Sequence, residues 1–237
     1  MSTNPSPWPL MVDAQLLAIA LSKNPSAHPD LVRSFERARR AISCAVDLEH
    51  AQDNCDALAR LEPVAEHKQQ FDDTIRQALM FSALSLYTRA TLTNGTQGER
   101  GPSSISYDSP YDDMHKEIVD IRNMVLAHVY IGREVGGHEW HSARVVLVQD
   151  EDEWSPLSLA ASSDYSPEAI ETLRKLLPIA TAQIKQRVEE RQNIAMDRLR
   201  QSYPAGETFN FDEIKFDLAE FVGGEEAAQR FWSDRTT

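Results

Sequence analysis

The stretch "MHKEIVDIRNMVLAHVY", residues Met114–Tyr130, fixes the reading of this chain. Ile118, Ile121, Val125 and Val129 recur at three- and four-residue intervals, the spacing that lines one face of an α-helix. The upstream "SPYDD" predicts where that helix starts: Ser109 as the cap, Pro110 in the first turn, and Asp112 and Asp113 at the positive helix end. The expectation is a helix over about Pro110–Ile131. Its polar residues are less ordinary. Arg122 and His128 flank the apolar stripe, six residues or about 9 Å of helical rise apart, and Asn123 follows Arg122.

Working outward, the same periodicity recurs along most of the chain. A first helix is expected over about Pro9–Lys23, ended by "NPSAHPD", whose prolines lack a backbone donor. A second begins near Asp30 and a third near Pro63. In the third, Phe71, Ile75, Leu79 and Leu86 form the inward stripe. The polar stretch "TNGTQGERGPSSISYDSP" reads as a long loop. Past "GREVGGHEW", the runs "ARVVLVQ" and "PLSLAAS" flank an acidic turn and predict a β-hairpin near 142–162. A second Ser-Pro cap at Ser166 opens a long helix with a kink expected at Pro178, and the segment after Tyr203 adds one or two short helices. The division expected is an N-terminal helical extension over 1–60, a helical domain with its hairpin over 61–202, and a helical tail over 203–237. The fold class is mainly α, an up-and-down helical bundle with a small β-hairpin insertion.

Composition narrows the function. The 237 residues are 41% hydrophobic and 26% charged, with only 9 glycines, as expected of a helical globular protein. No apolar run reaches the ~20 residues that span a bilayer, and the first residues lack a secretory pattern. Cys44 and Cys55 stand alone, outside any CxxC pair, and read as buried thiols in a reducing compartment, the cytoplasm. The net charge of −13 argues against a broad nucleic-acid surface. The charge is uneven, however: residues 85–149 carry 6 basic and 8 acidic side chains, whereas 150–237 carry 10 and 18. RNA contact is therefore expected only locally. His138 and His141 lack further ligands at metal-site spacing, and no GxxxxGK[ST], GxGxxG or GxSxG motif is present.

The Arg-Asn…His set suits one chemistry in particular. Cleavage of RNA by its own 2′-OH needs a base near neutral pKa and a donor for the negative charge that develops on phosphate. Imidazole and guanidinium supply these without a metal. A second copy of the helix across a two-fold axis would gather two such sets in one cleft.

"RNMVLAH" in this helix, preceded by "ALSLYTRATLTNG", a polar loop and "MHKEIVDIRNMVLAHVY", resembles the HEPN superfamily, in the branch found among abortive-infection proteins. The resemblance covers about Pro63–Tyr130 and extends through the hairpin to about Gln201. It implies a helical bundle, usually a homodimer, acting as a metal-independent ribonuclease with no cofactor, often in phage defence or a toxin–antitoxin pair. It further implies Arg122, Asn123 and His128 as catalytic residues, Arg89 in a supporting, substrate-binding role, RNA as substrate, and an antitoxin or regulatory protein as partner. The alternative is a non-catalytic HEPN-like module that binds a nucleotide or a protein.

Overall fold

The computed structural model describes residues 11–14, 16–17, 20, 29–61, 69–92, 105–126, 134–135, 138–150, 153–162, 165–202 and 214–233. It is mainly helical. The elements in chain order are α1 (Pro29–Arg60), α2 (Gln69–Thr91), α3 (Tyr111–Asp120) running into a π-helical turn (Ile121–Leu126), strands β1 (Glu134–Val135), β2 (His138–Glu139), β3 (His141–Asp150) and β4 (Glu153–Ser162), then α4 (Pro167–Ser202), α5 (Leu218–Val222) and α6 (Glu225–Ser233).

The chain forms two compact units, residues 39–190 and residues 1–38 with 191–237. The larger unit is a helical bundle whose core follows from helical spacing. Leu48, Ala51, Cys55 and Leu58 of α1, Met80, Ala83, Leu84 and Tyr87 of α2, and Leu173, Leu176, Leu177, Ala180 and Ile184 of α4 are all buried. Steps of three and four residues put each set on one stripe, and burying a whole aliphatic side chain contributes about 1.5–3 kcal/mol. Ile118 and Ile121 join the same core from α3 and the π turn. Trp140, just ahead of β3, is buried there too and anchors the start of the hairpin.

β3 and β4 pair antiparallel over their full length, from His141 opposite Ser162 to Asp150 opposite Glu153. This is the hairpin expected near 142–162. The preceding "GREVGGHEW" holds a second short antiparallel pair, β1 with β2. At α4 the serine cap forms as expected: Ser166 Oγ accepts from Ala169 N at 3.1 Å. The helix then runs through Pro178 without ending.

The smaller unit departs from the expected plan. Residues near the two chain ends, expected as a separate extension and tail, pack as one body around Leu17, Leu31 and Ile214, with Val12, Phe35 and Leu199 against them. Val12 bridges Lys215, Asp13 N donates to Ile214 O at 3.0 Å and Phe216 N to Met11 O at 2.9 Å. Residues 39–60, expected in the extension, belong instead to the larger unit. In the first expected helix, Pro9–Lys23, residues 14, 16, 17 and 20 are helical, whereas Met11, Val12 and Asp13 are not, Val12 being taken up in the bridge to Lys215. Its remaining residues lie outside the described ones, as does Pro63. The two short C-terminal helices form as expected. Asp217 caps α5 by accepting from Glu220 N, and Gly223 closes it in the left-handed conformation, φ 87°.

Candidate functional site

α3 begins one residue later than its sequence suggests. Pro110, not Ser109, is the N-cap, and it makes no side-chain cap bond. Backbone takes over that role, with Tyr111 N donating to Asp108 O at 2.8 Å. Asp112 and Asp113 still lie in the first turn, where both pair with Lys116.

The larger departure comes at the far end. The expected continuous α-helix changes at Ile121 to a π-helical turn through Leu126. A π turn bonds each N–H five residues back instead of four, so it is wider and turns later side chains off the α-helical register. Such turns are rare and concentrate at functional sites. This one carries Arg122 and Asn123. Ile118 and Ile121, both buried, fasten it to the core, and α2 packs against both α3 and the π turn. Arg122 is exposed, and its Nη1 donates to Asn123 Oδ1 at 2.9 Å. The neighbouring amide thus holds one edge of the guanidinium on a rigid base. His128, with Val129, lies outside the described residues, as do the side chains of Met124 and Val125.

Arg89, expected to touch substrate, has a partner within the fold. Near the end of α2, its Nε donates to Asp47 Oδ2 at 2.6 Å and its Nη2 pairs with Asp47 Oδ1. Asp47 is buried in α1, and the fork-on-fork geometry ties the two helices together. That carboxylate holds the Arg89 guanidinium in its charged form. Half neutralised this way, Arg89 is better placed to fix α2 than to bind a phosphate itself.

One cluster was not anticipated. His115, in the first half of α3, is half-buried. Its Nδ1 lies 2.8 Å from the Tyr87 hydroxyl, which lies 2.7 Å from the Tyr107 hydroxyl. The Tyr107 ring stacks on the imidazole at 4.9 Å. Burial pushes the Tyr107 phenol up to about 12 and the fully buried Tyr87 phenol far higher, so both stay protonated. Burial also lowers the His115 pKa, with Lys116 adding to that and Asp112 opposing it. The result is an imidazole shifted toward its neutral form and hydrogen-bonded to Tyr87, seven residues before Arg122 on the same continuous segment. The spacing of Tyr87, Tyr107 and His115 shows no pattern that would have revealed the cluster, because a long polar loop separates its members.

The cysteines are as expected. Cys44 and Cys55 are free and buried, and burial raises the Cys55 thiol to about 11, which makes it a poor nucleophile. Among the described residues, no cluster of His, Cys, Asp or Glu could hold a metal ion, and no helix is long and apolar enough to cross a membrane. The chain matches no family model, no curated protein and no solved structure.

Proposed function

We propose that this chain is a metal-independent endoribonuclease of HEPN type that acts in phage defence or a toxin–antitoxin system. In this reading His128 takes the proton from a ribose 2′-OH, and O2′ attacks the adjacent phosphorus. The bond to the 5′ oxygen breaks, and that oxygen takes a proton from a second imidazole, His128 of a second copy. The products are a 2′,3′-cyclic phosphate and a free 5′-OH. Arg122 holds the charge that develops on the phosphate, and Asn123 holds Arg122.

The supporting observation is the π turn. An exposed arginine, tied to its neighbouring amide, sits on a rare backbone geometry that two buried isoleucines pin to a helical bundle. An arginine with only a solvation role needs none of this. Arg89 acts in this reading as a positioning residue that locks α2 to α1 through Asp47.

The test is chemical. RNA cleaved in EDTA should carry 2′,3′-cyclic phosphate ends, and an RNA with 2′-deoxyribose at the cleaved position should resist. Cleavage of the deoxy substrate, or products with 3′-OH ends, would reject 2′-OH attack.

A further inference from the structure

The hairpin is the least self-sufficient part of the molecule. Its strands are ten residues long, and among the described residues neither outer edge has a strand partner. Both faces are apolar: Val145 is 70% exposed, Leu147 62%, Leu159 50% and Leu157 47%, with Val146 and Val148 also exposed. An isolated two-stranded hairpin is marginal in water, and a long aliphatic edge is a template for pairing with another strand. These six side chains, divided between the two faces, leave on the order of 500 Å² of apolar surface in water.

The two edges are not equivalent. β4 contains Pro156, opposite Leu147. Proline has no N–H, so within a sheet it occupies a position whose N–H side faces away from the ladder. Pro156 therefore blunts the outer edge of β4. Its partner Leu147 is in the same phase, with N–H and C=O facing outward from β3. β3 itself, "HSARVVLVQD", has no proline or glycine to interrupt its edge.

Charge selects the occupant. Arg144 and Asp150 lie at equal distances on either side of Leu147. Within one hairpin, Asp150 stands opposite Glu153, a like-charge pairing that weakens a sheet. We propose that β3 pairs with β3 of a second copy of this chain, antiparallel about a two-fold axis at Leu147, so that two hairpins form one four-stranded sheet. Leu147 then faces its own copy in a hydrogen-bonded pair, Val146 faces Val148, and Arg144 faces Asp150 at both ends of the interface. The arginine of each copy offsets the acidic pair of the other. This interface does not depend on the ribonuclease reading and uses none of its residues.

Sedimentation equilibrium of the full chain tests the idea. The wild type should be a dimer. Arg144→Glu should weaken it about tenfold, since two attractive pairs become repulsive. Adding Asp150→Arg to Arg144→Glu should restore it, which damage to folding would not do. Leu147→Pro, the counterpart of the natural Pro156, should leave a folded monomer. Register is read by cross-linking. Across the axis, Leu147→Cys sets two Cα atoms about 5.5 Å apart, within disulfide reach, whereas Val145→Cys sets them about 14 Å apart. A monomeric wild type, a dimer indifferent to Arg144→Glu and Leu147→Pro, a charge swap that fails to restore, or equal cross-linking from both cysteines would each overturn the proposal.

Discussion

Replacing Arg89 with alanine separates its two conceivable roles, because the structure sets what the change should cost. Asp47 is 6% exposed and accepts from both Nε and Nη2 of Arg89. Alanine would leave a buried carboxylate without these donors. Breaking a fully buried pair costs about 3–5 kcal/mol, whereas a surface pair contributes about 0–1 kcal/mol. The Arg89 side chain is 44% exposed, so water screens its end of the pair and partly rescues the carboxylate. The expected loss lies between these limits, about 2 kcal/mol. Asp47→Asn should cost less, since an amide still accepts a hydrogen bond and buries no charge. Denaturant unfolding of wild type, both single variants and the double variant gives the coupling directly, with a value of about 1 kcal/mol or more expected. If Arg89→Ala unfolds at the wild-type midpoint, or the cycle yields no coupling, the pair does not hold α1 to α2. The substrate role would then return to Arg89.

Other expectations follow from the same geometry. Tyr87→Phe removes the hydroxyl that links Tyr107 to His115 and should cost about 1–2 kcal/mol in unfolding free energy, with the core otherwise kept. His115 should make stability depend on pH. Its folded pKa lies below the unfolded value near 6.5, so the unfolded chain binds the proton more readily. The stabilisation is present above the unfolded pKa and is lost as pH falls through the folded one. The denaturation midpoint should drop between about pH 7 and pH 5, and less so in His115→Gln; equal slopes would remove His115 as the cause. Ser166→Ala deletes the cap of α4 and should cost about 1 kcal/mol, read as a lower melting temperature.

The sequence made some parts of this molecule legible and hid others, for physical reasons. The helices could be read because each buries one face and the 3.6-residue period survives in the residue pattern. The stripe expected in α2 was displaced, however: Leu79 and Leu86 only flank the buried Met80, Ala83, Leu84 and Tyr87. The hairpin was legible because β-branched and alternating runs flank a short acidic turn. Ser166 showed itself as a cap through the proline that follows it. Ser109 carries the same Ser-Pro signal and does not cap, since the backbone at Asp108 satisfies Tyr111 instead. Hydrophobic spacing also missed the π turn: Ile118 and Ile121 are three apart in either helix type, and nothing later in the stripe distinguishes them. Contacts distant in sequence were the least visible. Asp47 and Arg89, Tyr87 and His115, and the meeting of Val12 with Lys215 join residues that no local pattern connects. Of the candidate site, Arg122 and Asn123 stood out in the sequence as part of the Arg-Asn…His pattern, but the bond between them and the π geometry beneath them did not.

The central claim is that Arg122 and His128 form a cleavage centre, and RNA cleavage in EDTA measures it most directly. Wild-type protein should cut RNA without added metal. Arg122→Ala and His128→Ala, each shown to unfold at the wild-type midpoint, should lose cleavage by about a hundredfold or more, the size expected for a lost acid–base group or charge-stabilising donor. Asn123→Ala should lose less, because it removes only the group that holds Arg122. Cleavage that persists undiminished in the Arg122 and His128 variants, or a wild type inert toward every RNA offered, would contradict the account.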